Sequence, residues 1–292
     1  MFFSQLTNEL WKLFGKKRTY IGFAMFFLAQ NVIAAVFRFS NASRNMVRQL
    51  EGNGYPADHF ISSLTIATVM LFPIAYILLP LYASLVGGDL VAKEAEDGTL
   101  RMILSRPISR VRLLLVKWMA GAIFSLVLVA VLGLFGLLFS SFLFPWSGLF
   151  AFIPGELFSV FDPSTGLWHY FFAHLALVVK AVTITGLALM FSCFNIKPAS
   201  ATILALSFCF VNFILLQIPF FRDIQHWFLT HHLNLWQHLF AQPIPWWRVG
   251  ESLSILFGFN LTFFIVGSAV FFTVVILNPE NPFGFNLLGF CL

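Results

Sequence analysis

Apolar residues dominate the chain in long blocks, and the few polar clusters fall between them. Six blocks approach the roughly 20 residues that a helix needs to cross a bilayer. They run over about 19–37, 63–86, 113–141, 168–194, 199–220 and 252–277. The third is the longest, so its helix is expected to tilt or to extend past the hydrocarbon. Ahead of the first block, Phe3, Leu6, Leu10 and Leu13 recur at helical spacing, followed by Lys12, Lys16, Lys17 and Arg18. That pattern predicts an amphipathic helix over 1–18 lying on a membrane surface. A cleaved signal peptide fits less well, because the charged region is long and no small-residue cleavage site follows.

Two inter-block segments show patterns of their own. Residues 142–167 hold Pro145, Trp146, Pro154 and Pro163, with Trp168 just beyond, and predict a compact interfacial turn region. In 217–251, Phe228, Leu229, Leu233, Trp236, Leu239 and Phe240 follow helical spacing until Pro243 and Pro245 break it. A re-entrant or surface-lying amphipathic helix is expected, with Trp227, Trp236, Trp246 and Trp247 at headgroup level. No internal repeat is visible, so 1–292 reads as one all-α polytopic membrane domain.

Composition agrees. Of 292 residues, 59% are hydrophobic and only 10% charged, too few charges to cover a soluble domain of this size. The net charge of +5 gives no nucleic-acid signal, because the basic residues sit in short loops beside apolar blocks. With the N-terminus inside, the inner segments carry eleven Lys or Arg and the outer ones five. That bias predicts both termini in the cytoplasm. Cys193, Cys209 and Cys291 match no zinc or redox spacing.

The densest charge lies in 87–117, which carries Asp89, Lys93, Glu94, Glu96, Asp97, Arg101, Arg106, Arg110, Arg112 and Lys117. The second span is expected to end near Gly87-Gly88, and a helical pattern resumes over Asp89–Asp97. Gly98 is a natural helix stop. Thr99 can cap a short helix over Leu100–Ser105, Pro107 forbids its continuation, and Ser109 can cap the next. Leu100, Met102, Ile103 and Leu104 would form an apolar knob ringed by charge, suited to a pocket on a partner. Glu94 and Glu96, two apart on a helix, do not face each other, which argues for salt bridges to Arg101, Arg106 or the partner over paired acid catalysis.

This string resembles the loop of ABC-2-type permeases, the membrane subunits of ABC transporters. Glu94, Glu96, Gly98, Thr99, Leu100, Pro107, Ser109, Arg110 and Lys117 match its pattern, while Ala92 and Ala95 stand where basic residues are common. The layout of spans and interfacial segments is similar over the whole chain. The resemblance implies a coupling helix at Leu100–Ser105, with Ile103 and Leu104 on it, seated in a groove of a cytoplasmic ATPase. It also implies two ATPase copies, a second permease copy (a homodimer favoured, a heterodimer possible), and export or flipping, while the small outer segments and aromatic-rich membrane surface fit lipid-linked or amphipathic cargo, or a peptide. The setting implied is a bacterial inner membrane. The chain has no G-x-x-x-x-G-K-[ST], so ATP and Mg would be bound by the separate ATPase.

Other polar residues carry further expectations. Lys180 lies inside the fourth block, where it could contact an anionic substrate or snorkel toward Glu156 or Asp162. Asn212 and Gln217 join it as possible substrate-path residues, though they and Asn31 read equally as interhelical hydrogen-bond groups. His226, His231, His232 and His238 lack the i, i+4 spacing of a helical metal site. They are expected to be interfacial polar residues. They are also the motive for an alternative, an integral membrane enzyme. An ion-coupled secondary transporter is the other alternative and would want inverted repeats.

Overall fold

The computed structural model of the chain describes residues 2–104, 109–153 and 157–277. Within them lie six helices long and apolar enough to cross a membrane. Helix α1 (Phe2–Phe14) leads into α2 (Lys17–Phe39), and the short α3 (Arg44–Gly52) and α4 (Ala57–Phe60) follow. The second crossing combines α5 (Ser63–Pro73), a π-helical stretch at Ile74–Leu78 and α6 (Leu79–Glu96). Then come α7 (Thr99–Leu104), α8 (Arg110–Leu143), α9 (Pro163–Ser192) and α10 (Pro198–Gln217). A 3-10 stretch, Pro219–Trp227, precedes α11 (Leu229–Leu233) and α12 (Leu235–His238), and α13 (Trp246–Leu277) is the sixth crossing.

The core is built by α5, α6, α8 and α9, whereas α2, α10 and α13 leave most of their surface outside the bundle. Interhelical hydrogen bonds fasten it. Gln30 donates to the Leu132 carbonyl (2.8 Å), Tyr170 to that of Gly133 (3.0 Å), and Asn260 to the Thr183 hydroxyl (2.7 Å). Asn31, expected in this role, bonds instead to Phe27 of its own helix. The interhelical donor is its neighbour, because Gln30 is buried and Asn31 is not.

The second crossing does not end at Gly87-Gly88, as the sequence suggested. It continues unbroken to Glu96. These glycines serve close packing: a Cβ on Gly88 would lie 2.6 Å from the Thr202 hydroxyl oxygen, and one on Gly87 would collide with the Thr185 backbone. Glycine in a helix costs about 1 kcal/mol of propensity, and here the close approach of α6 to α9 and α10 offsets it. The π-helical stretch lies between Pro73 and Pro80, each of which removes a helical donor.

Two predicted segments differ in kind. The turn region contains a β-hairpin, β1 (Leu149–Ile153) antiparallel to β2 (Leu157–Phe161), with Leu149 opposite Phe161. Both strands are rich in apolar and aromatic β-formers, and the Pro-Gly dipeptide between them in the sequence favours a turn. Phe150 packs on Leu50 and Ala57, and its N–H donates to the Thr65 hydroxyl (2.8 Å). The segment after α10 is not one amphipathic helix but three short pieces. Trp236 is fully buried against Phe72, Tyr76 and Phe240, not at headgroup level, whereas Trp227, Trp246 and Trp247 are exposed.

Candidate functional site

The charged segment folds as a bracket at one end of the bundle. Gly98 takes a left-handed conformation (φ 72°), which reverses the chain after α6. Its N–H donates to the Ala95 carbonyl (3.1 Å), and the Thr99 hydroxyl donates to that of Glu94 (3.3 Å). Thr99 is the first residue of α7. Ser109 precedes α8 but makes no capping bond through its side chain. Pro107 lies outside the described residues.

Four charged side chains lock this bracket to α1. The Lys117 ammonium lies 3.0 Å from Glu9 and 2.7 Å from Glu94. That of Lys12 lies 2.7 Å from Glu9 and 2.9 Å from Glu94. Two acids and two bases form a closed neutral ring, with Lys117 only 1% exposed. Charges this deep are tolerable only when paired. Arg18 pairs with the buried Asp89, and the Arg112 guanidinium lies 5.9 Å from the Phe2 ring centre. Glu94 thus pairs across elements with Lys12 and Lys117; Arg106 and the Arg101 side chain, expected as its partners, lie outside the described residues. Glu96 pairs locally with Lys93 (2.7 Å).

Burial would lower the Lys12 pKa, but the Glu9 and Glu94 carboxylates outweigh it and raise it above its ordinary 10.5. A base with a raised folded pKa contributes stability that is fully present below its unfolded value and lost as pH rises through the folded one. The docking of α1 should therefore hold across neutral pH and loosen only above about 10.5. Limited proteolysis of the 15–18 junction across a pH series would check this.

The apolar knob divides in two. Leu100 is fully buried and Ile103 and Leu104 are half-buried against the bundle, so these three anchor α7. Met102 is 67% exposed and points outward. Arg110 rests 5.2 Å from the ring centre of Phe272 on α13. Sequence reasoning passed over Glu9, Lys12, Arg18 and Asp89 as partners. Glu9 carried a signal: the sole acid in the first 18 residues, it falls on the Leu6–Leu13 stripe.

A second site lies within the bundle. Lys180 is 4% exposed and lines a cavity of about 680 Å³ between the π-helical stretch, α9, α10 and α11. Its ammonium is 5.0 Å from the centre of the Tyr76 ring. It forms no ion pair with Asp162, and Glu156 lies outside the described residues. Asn212 bonds to Phe208 of its own helix (2.9 Å), and neither it nor Gln217 lines this cavity. The histidines do not gather. His232 bridges the Ser252 hydroxyl (3.1 Å) and the His226 carbonyl (2.8 Å), and no three His, Cys, Asp or Glu among the described residues could share a metal ion. Cys193 and Cys209 are buried free thiols.

The geometry is that of a multi-pass membrane protein with a small helix packed on the bundle between two long crossings. A family model described as "ABC-2 family transporter protein" matches residues 7–226, which include the second half of α1, the bracket and five of the six crossings. No curated protein matches the chain significantly. Members of this family are the membrane permease subunits of ABC transporters, which work with an ATPase partner. The chain belongs to the ABC-2 transporter family.

Proposed function

We propose that this permease is driven by ATP hydrolysis in a separate cytoplasmic ATPase, which grips α7, and that it exports or flips its cargo. The single observation behind this is how α7 is mounted. It hangs between the end of α6 and the start of α8, with Leu100 buried beneath it and the Lys117–Glu94–Lys12–Glu9 ring beside it. A force on α7 is passed to α6, α8 and α1, which the ring ties together. Rigid-body repacking of long helices is a common form for such a switch. The bracket end is then cytoplasmic, in keeping with the inner bias of Lys and Arg. In this reading Ile103, Leu104, Pro107 and Arg110 support or flank the contact, and two permeases with two ATPases, ATP and Mg complete the machine in a bacterial inner membrane.

Met102 is the residue to change, because it is exposed, whereas a charge at Leu100 would damage the fold. Full-length protein expressed with its ATPase partner and purified in mild detergent should retain the ATPase. Met102→Asp should lower that retention by about tenfold or more, the expected cost of a central apolar contact. Wild-type protein that is folded and carries no ATPase would contradict the proposal.

A further inference from the structure

We infer that the Lys180 cavity is a lateral binding site for an anionic amphiphile, a single phosphate- or carboxylate-type headgroup carried on a hydrocarbon tail. This deepens the permease reading and rests on it for the meaning of the site, though not for its existence.

The position of the charge comes first. Lys180 is the eighteenth residue of α9, about 25 Å along the helix from Pro163 and about 18 Å from Ser192 at 1.5 Å per residue. A four-carbon stem cannot carry its ammonium to either membrane surface. Among the described residues no carboxylate pairs with it. The contact that meets it is the face of Tyr76, a modest stabiliser of a cation. An intramembrane ammonium without a counter-charge is costly, and such residues face cavities that carry substrate or ions. A negative group entering the cavity would supply what the protein does not.

The walls describe the rest of the ligand. Pro80, Ile184 and Leu206 are apolar, and Ile77 and Phe210 at the mouth are exposed on the outer surface of the bundle. The opening therefore faces sideways, where lipid would lie, and the space is far larger than one inorganic anion. Ser207, Asn234 and Thr230 also line it, and Thr230 is 8% exposed with a hydroxyl oxygen that has no hydrogen-bond partner among the described residues. A buried hydroxyl in that state is a donor waiting for an acceptor. One cation, one free donor and an apolar trough open to the bilayer match an anionic head with a tail. A neutral sugar would leave the ammonium uncompensated. The π-helical stretch that carries Tyr76 belongs to the same wall, and such irregularities gather at functional sites.

The test is native mass spectrometry on the full-length chain, purified with its ATPase in detergent and equilibrated with phosphatidylglycerol or with phosphatidylcholine of the same acyl chains. Wild type should retain phosphatidylglycerol on the order of tenfold better, as loss of one charge-assisted contact implies. Lys180→Gln should abolish the preference and Lys180→Arg should restore it. Ser207→Trp, at the cavity wall, should lower retention of both lipids while Lys180 is intact. It keeps the test open if Lys180→Gln fails to fold. Equal retention of the two lipids by wild type, or an undiminished preference in Lys180→Gln, overturns the inference. So does displacement of the lipid by millimolar inorganic phosphate, which would make the ligand a free anion. A change in permease self-association on Ser207→Trp with lipid retention unaltered also overturns it, because the cavity would then receive a second copy. ATPase retention is read in the same spectra. ATPase without lipid preference sinks this inference alone, whereas lipid preference without ATPase sinks the permease mechanism and leaves the site.

Discussion

Replacing Lys117 with Ala should destabilise the protein by about 3–5 kcal/mol, the cost of removing one partner from a buried ionic group. Lys117 is the least exposed member of the ring and contacts both acids. Without it Glu9 and Glu94 share the single ammonium of Lys12, and two carboxylates repel across a site already shielded from water. The result should appear as a large fall in the detergent unfolding temperature and early proteolytic release of α1. A second substitution separates charge imbalance from lost packing. Lys117→Met with Glu94→Gln removes one base and one acid and leaves the Glu9–Lys12 pair at 2.7 Å. It should recover much of the loss, since buried pairs replaced by apolar groups are often close to neutral. If the double variant is as unstable as Lys117→Ala, the ring is not what holds α1 in place.

Trp236→Ala should cost a similar amount, about 3–5 kcal/mol, as large aromatic truncations in a packed interior do. Trp236 is wholly buried and wedges between Phe72 and Tyr76 of the second crossing and Phe240. Its loss opens a void behind the π-helical stretch that forms one wall of the Lys180 cavity. Its indole N–H has no hydrogen-bond partner among the described residues, so the ring contacts, and not a polar bond, carry its contribution. Trp236→Phe should therefore keep most of the stability. A detergent melt showing Ala and Phe equally damaging would contradict this placement, and one showing Ala harmless would mean that Trp236 sits at the surface after all.

The parts of the fold legible in the sequence were those set by long periods. Each of the six apolar blocks overlaps a crossing helix, and α1 follows its amphipathic stripe. The chain reversal at Gly98 was legible because a single residue type suits a left-handed turn. What failed depended on tertiary partners. Trp236 looks interfacial by the amphipathic spacing of its segment, but a wall of aromatics receives it. Gly87-Gly88 looks like a helix end, but close packing against α9 and α10 explains it. The β-hairpin was hidden because its strands are short and almost wholly apolar, with no alternation to show a period of two. The charged bracket was recognised as a unit, but its pairing was not. Glu9 lies 108 residues from Lys117, and nothing local links them. Leu100 and Met102, two apart on α7, differ only in which side the bundle covers, and the sequence carries no mark of that side.

The mounting of α7 yields a direct test. A photo-crosslinking amino acid placed at Met102, in native membranes containing the ATPase partner, should give an adduct of permease plus ATPase on illumination. The same probe at Phe142, exposed at the far end of α8, should give none. An ATPase peptide identified in the Met102 adduct is the expected result. Illumination that joins Met102 to lipid or to other proteins but never to an ATPase, with the protein folded, would contradict α7 as the point where ATP hydrolysis meets the membrane.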